Sequence, residues 1–187
     1  MKSADALARL TVGNQRFIAD KLDGELQDSV RREALTGSQN PYAVILSCAD
    51  SRVVPELIFD TGLGELFVIR VAGNIANTSS IGSIEYAVAH LGVKLIVVLG
   101  HQSCGAVTAA IAGGDNGYNL NHLLSHLQPA ISSCNETSVD AVVRQNAIQT
   151  SQELLARSRI IRDAAQRGLQ IAPAWYLLDA GKVEYLA

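Results

Sequence analysis

Cysteine is scarce in this 187-residue chain, which has three, Cys48, Cys104 and Cys134. An odd, low count makes a poor disulfide framework and favours a reducing compartment, where a thiol serves as a ligand, a nucleophile or packing. Charge is scarce as well: Asp, Glu, Lys and Arg make up 18% of the residues, against 48% apolar. That balance excludes the low-hydrophobicity, high-charge composition of disordered chains. There is no basic excess. A net charge of −3 leaves no field for nucleic acid or an anionic membrane surface. No apolar run reaches the roughly 18 residues a membrane span needs. The start, MKSADALARL, has no apolar core of signal-peptide length, so a cytoplasmic location is expected, with a leader removed beforehand left open. Repeats, low-complexity stretches and linkers are also missing, and the length suits one domain over 1–187.

What is present alternates. Short β-branched runs predict strands at Ala43–Ser47, Leu66–Val71 and Leu95–Leu99. Helices are expected between and after them: Pro55–Phe59 with Pro at its first position, Ile81–Leu91 closed by Gly92, and Cys104–Ala112 ended by Gly113 and Gly114. This rhythm implies an α/β fold in three layers, a mostly parallel central sheet flanked by helices. Ahead of it, a helix from Ser3 to about Leu22, capped by Ser3 and weakened near Gly13, carries a narrow apolar stripe of Leu7, Leu10, Phe17 and Ile18. Such a stripe packs either on its own core or over a partner subunit, and periodicity does not separate the two. A short helix over Val30–Leu35 is stopped by Gly37. Helical signals fill 119–166, where Pro129 starts a new helix or kinks one. A C-terminal hairpin joins Ile171–Leu178 to Val183–Leu186 through Asp179–Lys182, and Pro173 in its first strand predicts an edge position or a late strand start.

Chemistry concentrates at two strand ends, the place where open α/β sheets bind ligands. The string CADSR follows the first strand and GHQSCG the third. Alone, Cys48 reads as packing, and Asp50 with Arg52, two residues apart, as a structural ion pair. His101 and Cys104 alone read as a satisfied histidine and a buried thiol. Together, two thiols and an imidazole form a donor set that suits zinc and leaves a fourth position for water, hydroxide or a carboxylate, with Asp50 the nearest competitor. Gly100 and Gly105 allow close approach, and the helix starting near Cys104 is expected to lower that thiol's pKa. His122 and His126, four apart on a helix, lack a third ligand nearby and are read as solvent or packing residues. His90 reads as a helix-end residue, and Cys134 is assigned nothing.

The stretches CADSRVVPELIFDTGLGELFVIRVAGN and GSIEYAVAHLGVKLIVVLGHQSCGAV resemble the β-class carbonic anhydrases, in order through about Gln39–Val107, and ALARLTVGNQRF resembles that family's N-terminal helix. The resemblance implies zinc on Cys48, His101 and Cys104, with an Asp50–Arg52 dyad beside it and Asp50 as an exchangeable fourth ligand. It implies a homodimer or dimer of dimers, with the N-terminal helix over a partner and the site at the subunit boundary. Gln39, nine residues before Cys48, and the Gly105 amide become candidate donors to CO2 or bicarbonate. Ile45 stands where one branch of the family carries a Trp of an inhibitory bicarbonate site, so that site is not expected. The last strand departs from the family pattern at Pro173 and Leu177, and Val71 follows Arg70 where an Asn is common.

The implied reaction is reversible hydration of CO2 to bicarbonate and a proton, by attack of zinc-bound hydroxide on CO2 in a small apolar pocket. Two alternatives share the donor set. One is a hydrolase of carbonyl sulfide or carbon disulfide on the same scaffold. The other is a zinc-stabilised structural protein whose fourth ligand is a permanently bound Asp50.

Overall fold

The computed structural model describes residues 1–136 and 138–187, and Thr137, within the expected helical span 119–166, lies outside the described residues. Five strands form one sheet: β1 (Ala43–Ser47), β2 (Leu66–Arg70), β3 (Leu95–His101), β4 (Gln170–Tyr176) and β5 (Val183–Tyr185), in the order β2-β1-β3-β4-β5. The β1–β2, β1–β3 and β3–β4 pairings are parallel, and only β5 runs antiparallel, to β4. Every residue of β1 and β3 is buried, as expected for central parallel strands covered on both faces.

The layers follow from side-chain alternation along those strands. Ala43, Ile45, Leu95, Val97 and Leu99 face α1 (Ser3–Ile18) and α3 (Pro55–Ile58). Val44, Leu46, Ile96 and Val98 face α4 (Thr78–His90), α8 (Val139–Arg157) and α9 (Arg159–Ala165). The remaining helices are α2 (Ser29–Ala34), α5 (Gly105–Ala112), α6 (Tyr118–Ser125) and α7 (Gln128–Ser133), which Pro129 helps to start. With α8, the helices α5, α6 and α7 build a third apolar cluster, around Cys48 and Cys104.

Several expectations are corrected. α1 runs unbroken through Gly13, because that glycine serves contact rather than flexibility: a Cβ there would lie 1.9 Å from the Phe59 carbonyl oxygen. Its cap is Lys2, without a side-chain bond, and not Ser3. One face of α1 packs on its own chain, which leaves its other face to the partner reading. Ala6 and Leu10 are buried in the core, the Asn14 amide donates to the Ile58 and Gly181 carbonyls, and its oxygen accepts the Val183 N–H. Asp28 and Asn77 cap α2 and α4 with side-chain oxygens, which moves both helix starts earlier than hydrophobic periodicity alone suggests.

Pro173 lies neither on an edge strand nor at a strand start. It sits inside β4, opposite Val98 of β3. The ladder explains how. The Gln170 N–H and the Tyr176 carbonyl bond toward β3, whereas the Leu177 N–H and the Pro173 carbonyl bond toward β5 and its extension. The N–H that proline lacks therefore points away from β3, toward the very end of β5, and the parallel ladder stays whole.

Candidate metal centre

β1 and β3 are neighbours with Ser47 opposite Leu99, so their carboxyl ends project side by side. Cys48 follows β1 directly, and His101 is the last residue of β3, which runs two residues further than its apolar run. Cys104 caps α5. Cys48 Sγ, a His101 ring nitrogen and Cys104 Sγ lie within 4.8 Å of one another, and all three residues are buried. Gly100 makes the junction possible: a Cβ there would lie 2.7 Å from Val143 Cγ1 of α8. Gly105 has no such role, since a Cβ there would meet nothing within 4 Å.

The donor set fits zinc. The Nδ1 of His101 lies 2.9 Å from the Gln102 carbonyl, an acceptor only, so Nδ1–H donates to it and Nε2 is left bare. Nε2 is buried without a partner among the described residues, and an orphaned polar atom in such a place is costly unless a ligand satisfies it. Two sulfurs stand beside it. Cys48 is pushed down, first by the hydrogen bond from the Cys104 thiol and further by the Gly73 amide, with burial opposing. Cys104 is pushed up by that same partnership and by burial, although the Val107 and Ala106 amides pull it down. The Val107 and Ala106 amides at the start of α5 thus act on Cys104 in the expected direction, and the neighbouring Cys48 and burial oppose them.

Asp50 and Arg52 form a two-pronged pair, Nε to Oδ1 at 2.9 Å and Nη2 to Oδ2 at 2.8 Å. The Arg52 amide adds a bond to Oδ1 at 3.0 Å. Arg52 thus holds the Asp50 carboxyl well below the usual carboxylate range, against its partial burial. Oδ2 is 3.8 Å from His101 Nε2, so the carboxylate overlooks the donor set.

Other residues brought to the site carry weak sequence signals. Arg70, at the end of β2, donates to the carbonyls of Cys48 (3.1 Å) and Asp50 (2.6 Å). Its place at a strand end beside CADSR is the one clue. The Gly73 N–H donates to Cys48 Sγ at 3.3 Å. Gly73 has φ 71 within a single 3-10 turn, Ala72–Asn74, and Asn146 of α8 donates to its carbonyl. Gln39 is not gathered in. It is exposed, and its neighbours Ser38 and Asn40 line a cavity with Gly64, Gly92 and Lys94, at the amino ends of the strands. His122 and His126 meet edge to face, 5.4 Å apart, and join no metal-ligand group among the described residues. Cys48, Cys104 and Cys134 are all free.

A family model for carbonic anhydrase matches residues 43–183. "Carbonic anhydrase 2" of Mycobacterium tuberculosis is 40% identical over 181 residues, covering 92% of this chain and 87% of that protein. Among solved structures, the Coccomyxa β-carbonic anhydrase in complex with acetazolamide superposes with a TM-score of 0.75 at 30% identity, over 92% of this chain and 82% of its own. One of the two tetrameric β-carbonic anhydrases of Sordaria macrospora gives 0.76 at 29%, over 83% and 85%. The chain belongs to the β-carbonic anhydrase family. No helix among the described residues is long and apolar enough to cross a membrane.

Proposed function

We propose that the protein, one domain over 1–187, is a zinc-dependent carbonic anhydrase that interconverts CO2 with bicarbonate and a proton. The observation that carries this reading is the convergence of Cys48, His101 and Cys104 donor atoms within 4.8 Å, beside a carboxylate already engaged elsewhere. Zinc held by those three residues lowers the pKa of a coordinated water from about 15.7 to about 7, supplying a nucleophile at neutral pH.

The protein's own groups do the rest. Asp50, kept ionised by Arg52, is an acceptor only and orients the hydrogen of the attacking water. Arg52 occupies both carboxylate oxygens and so withholds Asp50 from the fourth ligand position, which weighs against a closed four-ligand structural site. If the clamp opens, Asp50 becomes the exchangeable fourth ligand. Ile75 and Val107, in the same apolar cluster as the two cysteines, offer the nonpolar wall that CO2 needs. The Gly105 amide, at the open start of α5, donates to substrate oxygen. Gln39 lies at the far end of β1 from its own Cys48, so it serves the zinc of a second copy. This supports a homodimer with sites at the subunit boundary, and the tetrameric Sordaria relatives support a further pairing of dimers. α1 offers such a partner its outer face, where Val12 and Ile18 are exposed. Three free thiols support a reducing, cytoplasmic setting.

Stopped-flow CO2 hydration across pH, with metal analysis on the same sample, tests the proposal. The expected result is one zinc per chain and activity that falls on acidification. Stoichiometric zinc without hydration at any pH would overturn it, and faster turnover of carbonyl sulfide than of CO2 would reassign the substrate.

A further inference from the structure

His101 and Cys104 are separated by only two residues, and the backbone must reverse between the end of β3 and the start of α5. Ser103 takes the turn with φ 54, a left-handed conformation that a side chain with a Cβ disfavours. Such a residue persists only where its surroundings hold it. The Ser103 N–H donates to Asp140 Oδ1 at 2.9 Å, and the Ser103 carbonyl accepts from Arg52 Nη2 at 3.4 Å. Its neighbour Gln102 is tied separately, its N–H to the Tyr176 carbonyl and its side-chain oxygen to the Leu178 N–H. Asp140 lies in the first turn of α8, the helix whose Asn146 also holds Gly73 against Cys48.

We propose that Asp140 is a positioning residue for the metal site: its carboxylate holds Ser103 in the left-handed turn and thereby sets the spacing of His101 and Cys104. The proposal rests on the zinc assignment above. Asp140 touches neither metal nor substrate, and its reach is through one backbone N–H. Groups hydrogen-bonded to the ligands themselves commonly govern about 10–100-fold in metal affinity, and a group that fixes the turn between two ligands is expected to reach the lower end of that range.

The test is the rate of zinc release from the zinc-loaded protein to a chromophoric chelator, for the wild type, Asp140→Ala, Asp140→Asn, Ser103→Gly and Asp140→Ala/Ser103→Gly. Asp140→Ala is expected to release zinc at least about tenfold faster. Asp140→Asn, whose amide oxygen still accepts the Ser103 N–H, is expected to restore most of the wild-type rate. In the Ser103→Gly background, where glycine takes the left-handed turn freely, removal of Asp140 is expected to matter little. Wild-type release from Asp140→Ala overturns the proposal. So does an equal fold-change in both backgrounds, which would make Asp140 a plain helix-start residue. Should Asp140→Ala not fold, Asp140→Ser, with a hydroxyl too short to reach Ser103, takes its place with the same two outcomes. A wild-type protein without stoichiometric zinc would instead defeat the zinc assignment, a separate result on the same samples.

Discussion

Replacing Gly100 with alanine adds one methyl where the sheet meets α8. That carbon would lie 2.7 Å from Val143 Cγ1 and 3.3 Å from the Val143 carbonyl oxygen. Valine is β-branched and fixed at χ1, so the methyl cannot swing clear without moving the helix. Overpacking of this kind costs about 1–3 kcal/mol. For a chain of this length, that lowers Tm by about 2–4 °C per kcal/mol. The obvious relief is Val143→Ala, which by itself leaves a cavity and costs about 1–3 kcal/mol. Combined, the two changes should fit each other, and the double variant should fall short of the summed costs by at least about 1 kcal/mol. Because Gly100 immediately precedes His101, the single Gly100→Ala variant should also lose zinc to a chelator faster, and Val143→Ala should restore retention. Denaturant unfolding of the four zinc-loaded proteins measures the cycle. Wild-type stability in Gly100→Ala, or additivity within about 0.5 kcal/mol, would refute the idea that α8 and the ligand strand meet through this contact.

Cys48→Ser should lower zinc content and abolish CO2 hydration, and full occupancy with full rate would remove Cys48 from the ligand set. Asp50→Ala should cut hydration and alter its pH profile. Since Arg52 keeps Asp50 ionised far below neutral pH, the wild-type decline on acidification belongs to the nucleophilic water, and a full rate with an unchanged profile in Asp50→Ala would argue against an orienting role. Asp60 reports on acid stability. Burial works to raise its pKa, but the Asp23 and Gly24 amides and the Arg16 guanidinium outweigh burial and hold it below the ordinary value. A depressed carboxylate stabilises the fold above its unfolded pKa of about 3.9 and loses that contribution as pH falls through the lower folded value. Asp60→Asn should therefore be less stable than wild type at pH 7, with the Tm gap closing toward pH 3. A gap of constant size would contradict this.

The strands that carry the metal ligands were legible because their signals are local. Ala43–Ser47 and Leu95–Leu99 are apolar, β-branched and followed by polar turns, and alternation with helices implies that they run parallel. What escaped reading depends on tertiary contact. Gly13 looks like an interruption, yet Phe59 presses against its backbone; the close approach expected at Gly100 is made by Val143, and the one expected at Gly105 is made by nothing. Arg70 and Gly73 reach Cys48 from 22 and 25 residues away in sequence, and Asn146 reaches Gly73 from 73 away, through hydrogen bonds that no periodicity announces. The opposing push on the Cys104 pKa escaped for a related reason, since it depends on a second thiol placed by another strand. Asp28 and Asn77 were readable as caps by residue type, but the apolar pattern began later and drew the boundaries inward.

The orientation of Pro173 has a consequence for the chain's last strand. In an antiparallel pair, each close-bonded position needs an amide from both partners, and residue 173 can give only its carbonyl, to the Leu186 N–H. Such a one-handed rung is tolerable as the final one and wasteful anywhere inside. Sliding the C-terminal strand by two residues would bring that rung into the middle of the ladder, so the imino acid acts as an end-stop that selects one alignment of the hairpin over its neighbours.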